Sequence, residues 1–495
     1  MEERLGRELV LIASPLMGHL MPAVELAKLM ILREERLSIT FILIQLPTHS
    51  EVNAFISTLC STMLHQRLCF ITLPSPQHKW TSTNRGVIFD QLLQFHKPQI
   101  LDTISKLIIQ HGVDAIVVDL LSTTLIQLVA DEFRIPGYVF FTSSAAFLGL
   151  MLHFQTLEDE LKEDTGKLKY LTTHLHMPCF VKPVPPVVLP SLLADYATWT
   201  ARFLHYARGC RHAKGILVNT YHELESYPLS SFSVLDSSSC YGKASSIPEI
   251  YAVGPIIYQS MPLDNVSDGL MKWLDDQPPL SVVFLCFGSM GSFGVDQVRE
   301  IAKGIEQSKC PFVWVLREPP RVNQLDFPTE VVNFGDLLPD GFMNRTAGTG
   351  KIMGWVPQLA VLSHRAVGGF VSHCGWNSVL ESLWCGVPLL AWPLYAEQKL
   401  NAFQMVKELG LAVEIPATVS DQDYKDKASF DLLIKAESIE KGIRRLITEE
   451  DGKVIRRKVT QMKEKSRENM QEGGISYKSH GNFIRTVMSS YGGDD

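Results

Sequence analysis

Two stretches of this 495-residue chain combine side chains that can do chemistry. In the segment 369–388, an apolar run ends at His373, a glycine turn follows, and Asn377 and Ser378 open a helical pattern with Val379, Leu380, Leu383 and Trp384 on its apolar side. Gly386 closes that helix and Pro388 forbids its continuation. Main-chain amides at a helix start carry partial positive charge. Flanked by His, Asn and Ser donors they form an anion site, and a diphosphate suits it. The same pattern equally describes a capped helix with a core histidine. A second glycine turn at 287–292 also follows an apolar run, and Ser289 with its neighbouring amides can face the same anion. It lacks the GxGxxG spacing and the acidic residue which that motif requires, which argues against a nicotinamide-dependent dehydrogenase or reductase.

The other stretch is in the first half. His19 follows the first apolar run, in a segment 14–19 read as a loop, and Asp119 lies just past the fourth run, 115–118. In the usual doubly wound order these strands are neighbours about 4.8 Å apart, so both side chains emerge at one sheet edge. An imidazole with one nitrogen held by a carboxylate keeps a single tautomer and is a better general base near neutral pH. A lone Gly-His in a loop and a turn-capping aspartate look the same in sequence, so the pair alone decides nothing.

The elements that must position these groups alternate between short β-branched runs and longer helical patterns, the mark of parallel βαβ units in an α/β protein. Strands are expected at 8–13, 38–46, 67–73, 115–118, 137–141, 216–219 and 250–253, then at 282–287, 312–316, 351–354, 369–372, 388–392 and 411–415. A helix is expected over 20–33, with Pro22 in its first turn and Val24, Leu26 and Ala27 in its buried stripe. The proline-rich stretch 182–190 is expected to be an extended surface loop. Gly254 and Pro255 open a stretch without periodic apolar pattern, which places a domain boundary there. The expected division is 1–255, 256–475 and a last segment 476–495. Two doubly wound domains point the carboxyl ends of their strands at a shared crevice, where such sheets bind ligands. The charged helix 453–469 is assigned no chemistry.

Composition narrows the choice further. Apolar residues are 46% and charged residues 20%, which excludes a disordered or fibrous chain. Net charge is −7 with no basic block, so no nucleic-acid partner is expected. The start carries Glu2, Glu3 and Glu8 and passes straight into a strand, unlike a secretory leader, and the end is polar. No apolar window is long enough for a membrane span. The nine cysteines are scattered without a CxxC pair, which suggests reduced thiols in the cytoplasm and no zinc site.

The window 355–398 contains Trp355, Pro357, Gln358, His364, the run HCGWNS at 373–378, Glu381, Gly386, Pro388, Pro393 and Gln398. It resembles the signature box of plant UDP-dependent glycosyltransferases that act on small molecules. WLDDQP at 273–278, FGS at 287–289, Gly18 with His19, and Asp119 extend the likeness over nearly the whole chain. The resemblance implies a GT-B fold of two facing Rossmann-like domains. It implies that Trp355 stacks on uracil, that Val356 meets the base through its main chain, and that Gln358 and Glu381 hold the ribose. Ser289, His373, Asn377 and Ser378 would hold the diphosphate; Trp376, Glu397 and Gln398 the sugar, with Thr142 reaching it from the other domain. His19 would deprotonate the acceptor hydroxyl and Asp119 stabilise the imidazolium, with inversion at the anomeric carbon. Helix amides and His373 would neutralise the leaving diphosphate, so that no metal and no cofactor beyond the UDP-glucose donor are implied. Gln398 points to glucose rather than galactose. The aromatic Trp376, where users of UDP-glucuronate commonly carry arginine, points away from a glucuronate donor. An apolar acceptor site is expected from Met17, Phe141, Phe147, Met151 and the proline-rich stretch near 185. The run 140–151 resembles plant members that act on flavonoids, other phenolics and terpenoids. A cytoplasmic monomer is expected. The alternatives are a silent nucleotide-sugar-binding protein and a transferase for another sugar.

Overall fold

Every apolar run read as a strand is one in the computed structural model of the chain, which describes residues 6–46, 51–62, 66–76, 85–190, 200–233, 247–259, 265–320, 328–331, 333–415 and 433–489. Residues 1–5, Cys240 and the polar end 490–495 lie outside the described residues. The first sheet has strands β1 (Arg7–Ala13), β2 (Leu37–Ile44), β3 (Leu68–Leu73), β4 (Ala115–Asp119), β5 (Gly137–Phe141), β6 (Gly215–Val218) and β7 (Glu249–Ala252), in the order β3-β2-β1-β4-β5-β6-β7. All its pairings are parallel. Strands such as β4 and β5 are buried along their whole length, which is why they read as continuous apolar runs and not as alternation.

The second sheet comprises β8 (Val282–Cys286), β9 (Phe312–Val315), β12 (Gly350–Met353), β13 (Val367–Ser372), β14 (Leu389–Ala391) and β15 (Ala412–Glu414), in the order β12-β9-β8-β13-β14-β15. A short antiparallel hairpin of β10 (Arg317–Glu318) and β11 (Thr329–Glu330) stands beside it. Two doubly wound parallel sheets are therefore present, and each reverses its strand order next to its first strand, β1 or β8. Both glycine turns and the His19 segment leave their sheets at these reversals, so the crevice rule places them together.

The helix Ile475–Ser489 returns to the first sheet. Phe483 sits edge-on to Tyr138 at 5.0 Å and to Tyr251 at 5.6 Å, and His480 donates from Nε2 to Val253 O at 2.7 Å. Burial lowers the His480 pKa to about 4, so the ring is a neutral donor at working pH. The proline-rich stretch departs from the surface-loop expectation. Val184 pairs with Leu175, Pro186–Val188 forms a 3-10 turn, and Val184, Pro186 and Leu189 are buried, because prolines fix φ in a geometry that one such turn accepts. No helix among the described residues is long and apolar enough to cross a membrane.

Candidate active site

The helix expected at 20–33 begins three residues earlier, so His19 lies in its first turn rather than in a loop. It spans Met17–Arg33 with Leu16 as its N-cap. The pairing of β1 with β4 brings Ile12 opposite Val118, so Asp119 emerges beside the turn that leads from β1 into the helix, and His19 Nδ1 lies 2.8 Å from Asp119 Oδ2. Asp119 also accepts from Ser14 N at 3.0 Å, Ser14 Oγ at 2.9 Å and Ser122 N at 3.1 Å. It is at once the cap of a turn and the partner of the histidine. Burial pushes its carboxyl up, but the His19 bond and charge and the Ser14 donors outweigh this and hold it below its ordinary value. Against an ionised Asp119, His19 Nδ1 is the donor, and the neutral ring in this tautomer presents the Nε2 lone pair. The ring lines the cleft between the two sheets.

The second domain meets this helix through an irregularity in it. Pro22 has no N–H to give to Gly18 O four residues back. Asn377 Nδ2 donates to that carbonyl instead, at 2.7 Å. The helical turn carrying the histidine is therefore held against the start of the helix Trp376–Cys385, whose first residues line the cleft. This cross-domain contact is invisible to periodicity, although a proline four residues after a glycine in a helix is a readable sign of a free carbonyl.

His373 is packed between the two glycine turns. A Cβ on Gly288, which has φ +74°, would lie 2.7 Å from His373 Nε2, and one on Gly375 would lie 2.4 Å from it. Side chains at either position would displace the ring. Burial lowers the His373 pKa to about 4, so the imidazole is neutral. In that state it can offer a phosphate an N–H. Ser289 and Ser378 line the same cleft.

Trp355 is 37% exposed, whereas Trp376 and Trp392 are 2% and 4% exposed. The exposed ring is the one left open for stacking; Trp392 is a core residue set edge-on to Phe287 at 5.5 Å. Trp376 Nε1 donates to Asn219 O of the first domain at 2.7 Å, so its indole N–H is already taken. Val356 is buried beside Trp355. Gln358 Nε2 donates to Ser378 Oγ at 3.0 Å and to Glu381 Oε2 at 2.7 Å. Burial pushes the Glu381 carboxyl up to about 7, with the Gln358 donor pulling the other way. Gln398 Oε1 accepts from Leu394 N at 2.9 Å and Tyr395 N at 3.0 Å, and Glu397 Oε1 accepts from Ser143 Oγ at 3.0 Å.

The cleft is about 1000 Å³ and is lined by the candidate site residues of the sequence analysis, Thr142 included, except Asp119, which is buried behind His19. Its apolar end holds Met17, Phe141, Phe147 and Met151, as expected, but also Phe89, Leu121, Phe203 and Tyr206. The stretch 182–190 is not among the lining residues, because its apolar side chains are buried elsewhere; Phe180 just before it packs on Phe403 at 6.0 Å. Arg317 was also missed. It is 5% exposed, bonds Glu51 across the domains and donates to Ser289 O at 3.3 Å. Its only sequence signal is a cation immediately after a buried strand. No group of three or more metal-ligating side chains occurs among the described residues.

Comparison with known proteins agrees with this geometry. Residues 259–448 match the family model described as UDP-glucoronosyl and UDP-glucosyl transferase. The chain is 44% identical to UDP-glycosyltransferase 71A15 of Malus domestica, covering 97% of this chain and 99% of that protein. It is 41% identical to UDP-glucose flavonoid 3-O-glucosyltransferase 6 of Fragaria ananassa, covering 98% and 99%. Among solved structures, UGT71G1 of Medicago truncatula complexed with UDP-glucose superposes with a TM-score of 0.81 at 34% identity, covering 97% of this chain and 98% of that one.

Proposed function

Because this chain belongs to the UDP-glucoronosyl and UDP-glucosyl transferase family, with the GT-B fold of its plant UDP-glycosyltransferase relatives, we propose that it is an inverting UDP-glucose-dependent O-glucosyltransferase of small apolar hydroxyl-bearing metabolites. The observation that carries the reading is buried Asp119 holding His19 Nδ1 at 2.8 Å, at the edge of a cleft whose other wall is the helix start at Trp376. His19 Nε2 takes the proton of an acceptor hydroxyl lying against Phe141, Phe147 and Met151. The oxygen attacks the anomeric carbon from the side opposite UDP, and configuration inverts. The imidazolium is stabilised by Asp119. The departing diphosphate is met by the amides of the helix start, Ser289, Asn377, Ser378 and the neutral N–H of His373.

Gln358 and Glu381 hold the ribose in this reading, and Glu397, Gln398, Thr142 and the main chain of Trp376 hold the sugar. The Gln398 carboxamide oxygen is fixed by two main-chain amides, so its NH₂ is left to donate to a hydroxyl. Neither Trp376 nor Glu397 offers the cation that a sugar carboxylate needs. Flavonoids, other phenolics and terpenoids are the acceptor classes that suit the aromatic end of the cleft. The deciding experiment offers UDP-glucose, UDP-galactose and UDP-glucuronate in competition to a panel of such aglycones, with products read by mass and anomeric configuration by NMR. A β-glucoside is expected as main product. A galactoside, a glucuronide or a retained configuration would overturn the reading.

Two further outcomes follow from the donor side. Trp355→Ala removes a stacking face that meets uracil alike in the ground and transition states, so KM for the donor should rise about tenfold with kcat nearly unchanged. Steady-state kinetics test it, and an effect on kcat alone contradicts it. Burial pushes the Glu381 carboxyl up to about 7, and ribose hydroxyls donating to it favour the charged form. UDP binding should then release a proton near neutral pH, and affinity should rise with pH up to about 7 and level off above it. Calorimetry in buffers of different ionisation enthalpy measures that proton. Glu381→Gln should abolish the release, and its persistence would assign the proton elsewhere.

A further inference from the structure

Behind the cleft lies a layer of polar contacts that the transfer chemistry does not use. Glu225 is 1% exposed, in the helix His222–Ser231, at a residue where the backbone leaves helical geometry (φ −128°, ψ 42°). Its carboxylate accepts from Ala145 N at 2.7 Å and Ala146 N at 3.0 Å, the first amides of the helix Ala145–Asp159. It also accepts from Gln404 Nε2 of the second domain at 2.9 Å. A carboxylate at a helix start satisfies amides that have no partner within the helix and complements the dipole there. Two bonds therefore fix Glu225 to one helix, and the third crosses to the other domain.

The crossing contact is one of three. Glu397, Asn401 and Gln404 recur at intervals of four and three, one face of the helical stretch that starts at Gln398 and runs into a π turn at Gln404–Glu408. This face meets the start of Ala145–Asp159 through Ser143 Oγ to Glu397 Oε1 at 3.0 Å, Ser144 Oγ to Asn401 Oδ1 at 3.3 Å, and Gln404 to Glu225. Asn401 Nδ2 in turn donates to Cys374 O at 3.0 Å, next to His373. The rung nearest the cleft, Ser143 with Glu397, lines it, and the same helix carries Phe147 and Met151 on the acceptor side.

We propose that Glu225 is a positioning residue for glycosyl transfer: by clamping the start of the helix Ala145–Asp159 to Gln404, it sets the gap between Thr142–Ser143 and Glu397–Gln398 across which acceptor and sugar meet. The proposal rests on the donor and acceptor sites assigned above. A buried carboxylate without this duty would cost more than an apolar side chain, since desolvation raises its pKa against the pull of the Gln404 and amide donors. Angstrom-scale displacement of bound reactants costs about 10²-fold in rate, so a loosened clamp is read in kcat before it is read in binding.

Gln404→Leu removes the crossing bond and leaves the two helix-start bonds intact. Glu225→Gln keeps the volume and leaves one helix-start amide without an acceptor. In both variants kcat for transfer is expected to fall about tenfold, with UDP affinity by calorimetry within about twofold, because uracil, ribose and diphosphate are held by the second domain. The share of UDP-glucose consumed by water instead of by the acceptor should rise several-fold, which a loss of stability alone would not produce. The double variant should lose no more than the worse single variant, since the two side chains act as one unit. Unchanged kcat and water share in a folded Gln404→Leu protein would overturn the proposal, as would a fall in UDP affinity that matches the fall in kcat. The unaltered chain in the same assay keeps the two readings apart. Absence of transfer there overturns the assigned sites and the proposal together, whereas normal transfer by all the variants overturns the proposal alone.

Discussion

His19→Ala is expected to lower kcat by about 10²–10⁴-fold, the range for removal of a positioned general base, and to leave UDP affinity within about twofold. The geometry gives both halves of this result. His19 belongs to the first domain and its Nδ1 is spent on Asp119, so only Nε2 reaches the cleft. The uracil, ribose and diphosphate contacts assigned above come from the second domain, and Asn377 reaches the first domain at the main-chain carbonyl of Gly18, which alanine at 19 does not remove. The loss should be steeper for aliphatic alcohols, whose hydroxyl does not ionise near neutral pH, than for acidic phenols, a fraction of which arrive already deprotonated. Initial rates on one acceptor of each kind, with UDP titrated by calorimetry, test this. Full activity of the variant on an aliphatic alcohol would sink the assignment of the base.

The strands were legible because parallel sheets covered on both faces must be apolar throughout. Runs such as 115–118 and 137–141 differ from the observed strands by one residue or none. The start of the first helix was not. Ser14, Pro15 and Gly18 are loop-forming residues by local preference, and what lets a helix start at Met17 is tertiary: Asp119 takes Ser14 N and Oγ just before it, and Asn377 takes the carbonyl that Pro22 cannot. Most residues assigned to the donor could be read together because they fall in one contiguous window, 355–398, whereas Ser289 and Thr142 lie outside it. The acceptor half was only partly legible. Phe89, Leu121, Phe203 and Tyr206 come from segments far apart in sequence, and each alone reads as ordinary core. The surroundings of His373 could not be read at all, because the burial that lowers its pKa is between two glycine turns that are 87 residues apart, at 288 and 375. Glu225 reads in sequence as one more acidic residue in a helix. Only the fold shows that its partners are the start of a helix 80 residues earlier and a glutamine 179 residues later.

Asp119→Asn is expected to slow turnover about 10–10²-fold, less than the loss of His19, and also to lower the melting temperature. The wild-type carboxylate accepts four hydrogen bonds, two on each oxygen: Ser14 N and His19 on Oδ2, Ser14 Oγ and Ser122 N on Oδ1. A carboxamide has one accepting oxygen. If its NH₂ takes the Oδ1 place, the Ser14 hydroxyl can turn to accept, but Ser122 N is left without a partner. If it takes the Oδ2 place, Ser14 N loses its acceptor and His19 must present a lone pair at Nδ1, which puts the proton on Nε2 and removes the base. The first orientation is the cheaper one. An unpartnered buried amide costs about 1–3 kcal/mol, read as the fall in melting temperature. In that orientation His19 keeps the right tautomer but its imidazolium faces a neutral amide, so the charge formed on proton transfer is no longer stabilised. The pH dependence carries the same sign. The Asp119 carboxyl is held below its ordinary value, so its stabilising contribution is complete above the usual carboxylate range and is lost only as pH falls below that range. The stability difference between wild type and variant should therefore shrink as pH falls below about 5. A rate loss equal to or larger than that of His19→Ala, in a variant shown to be folded, would mean that Asp119 does more than orient and stabilise the imidazole, and the two roles would have to be exchanged.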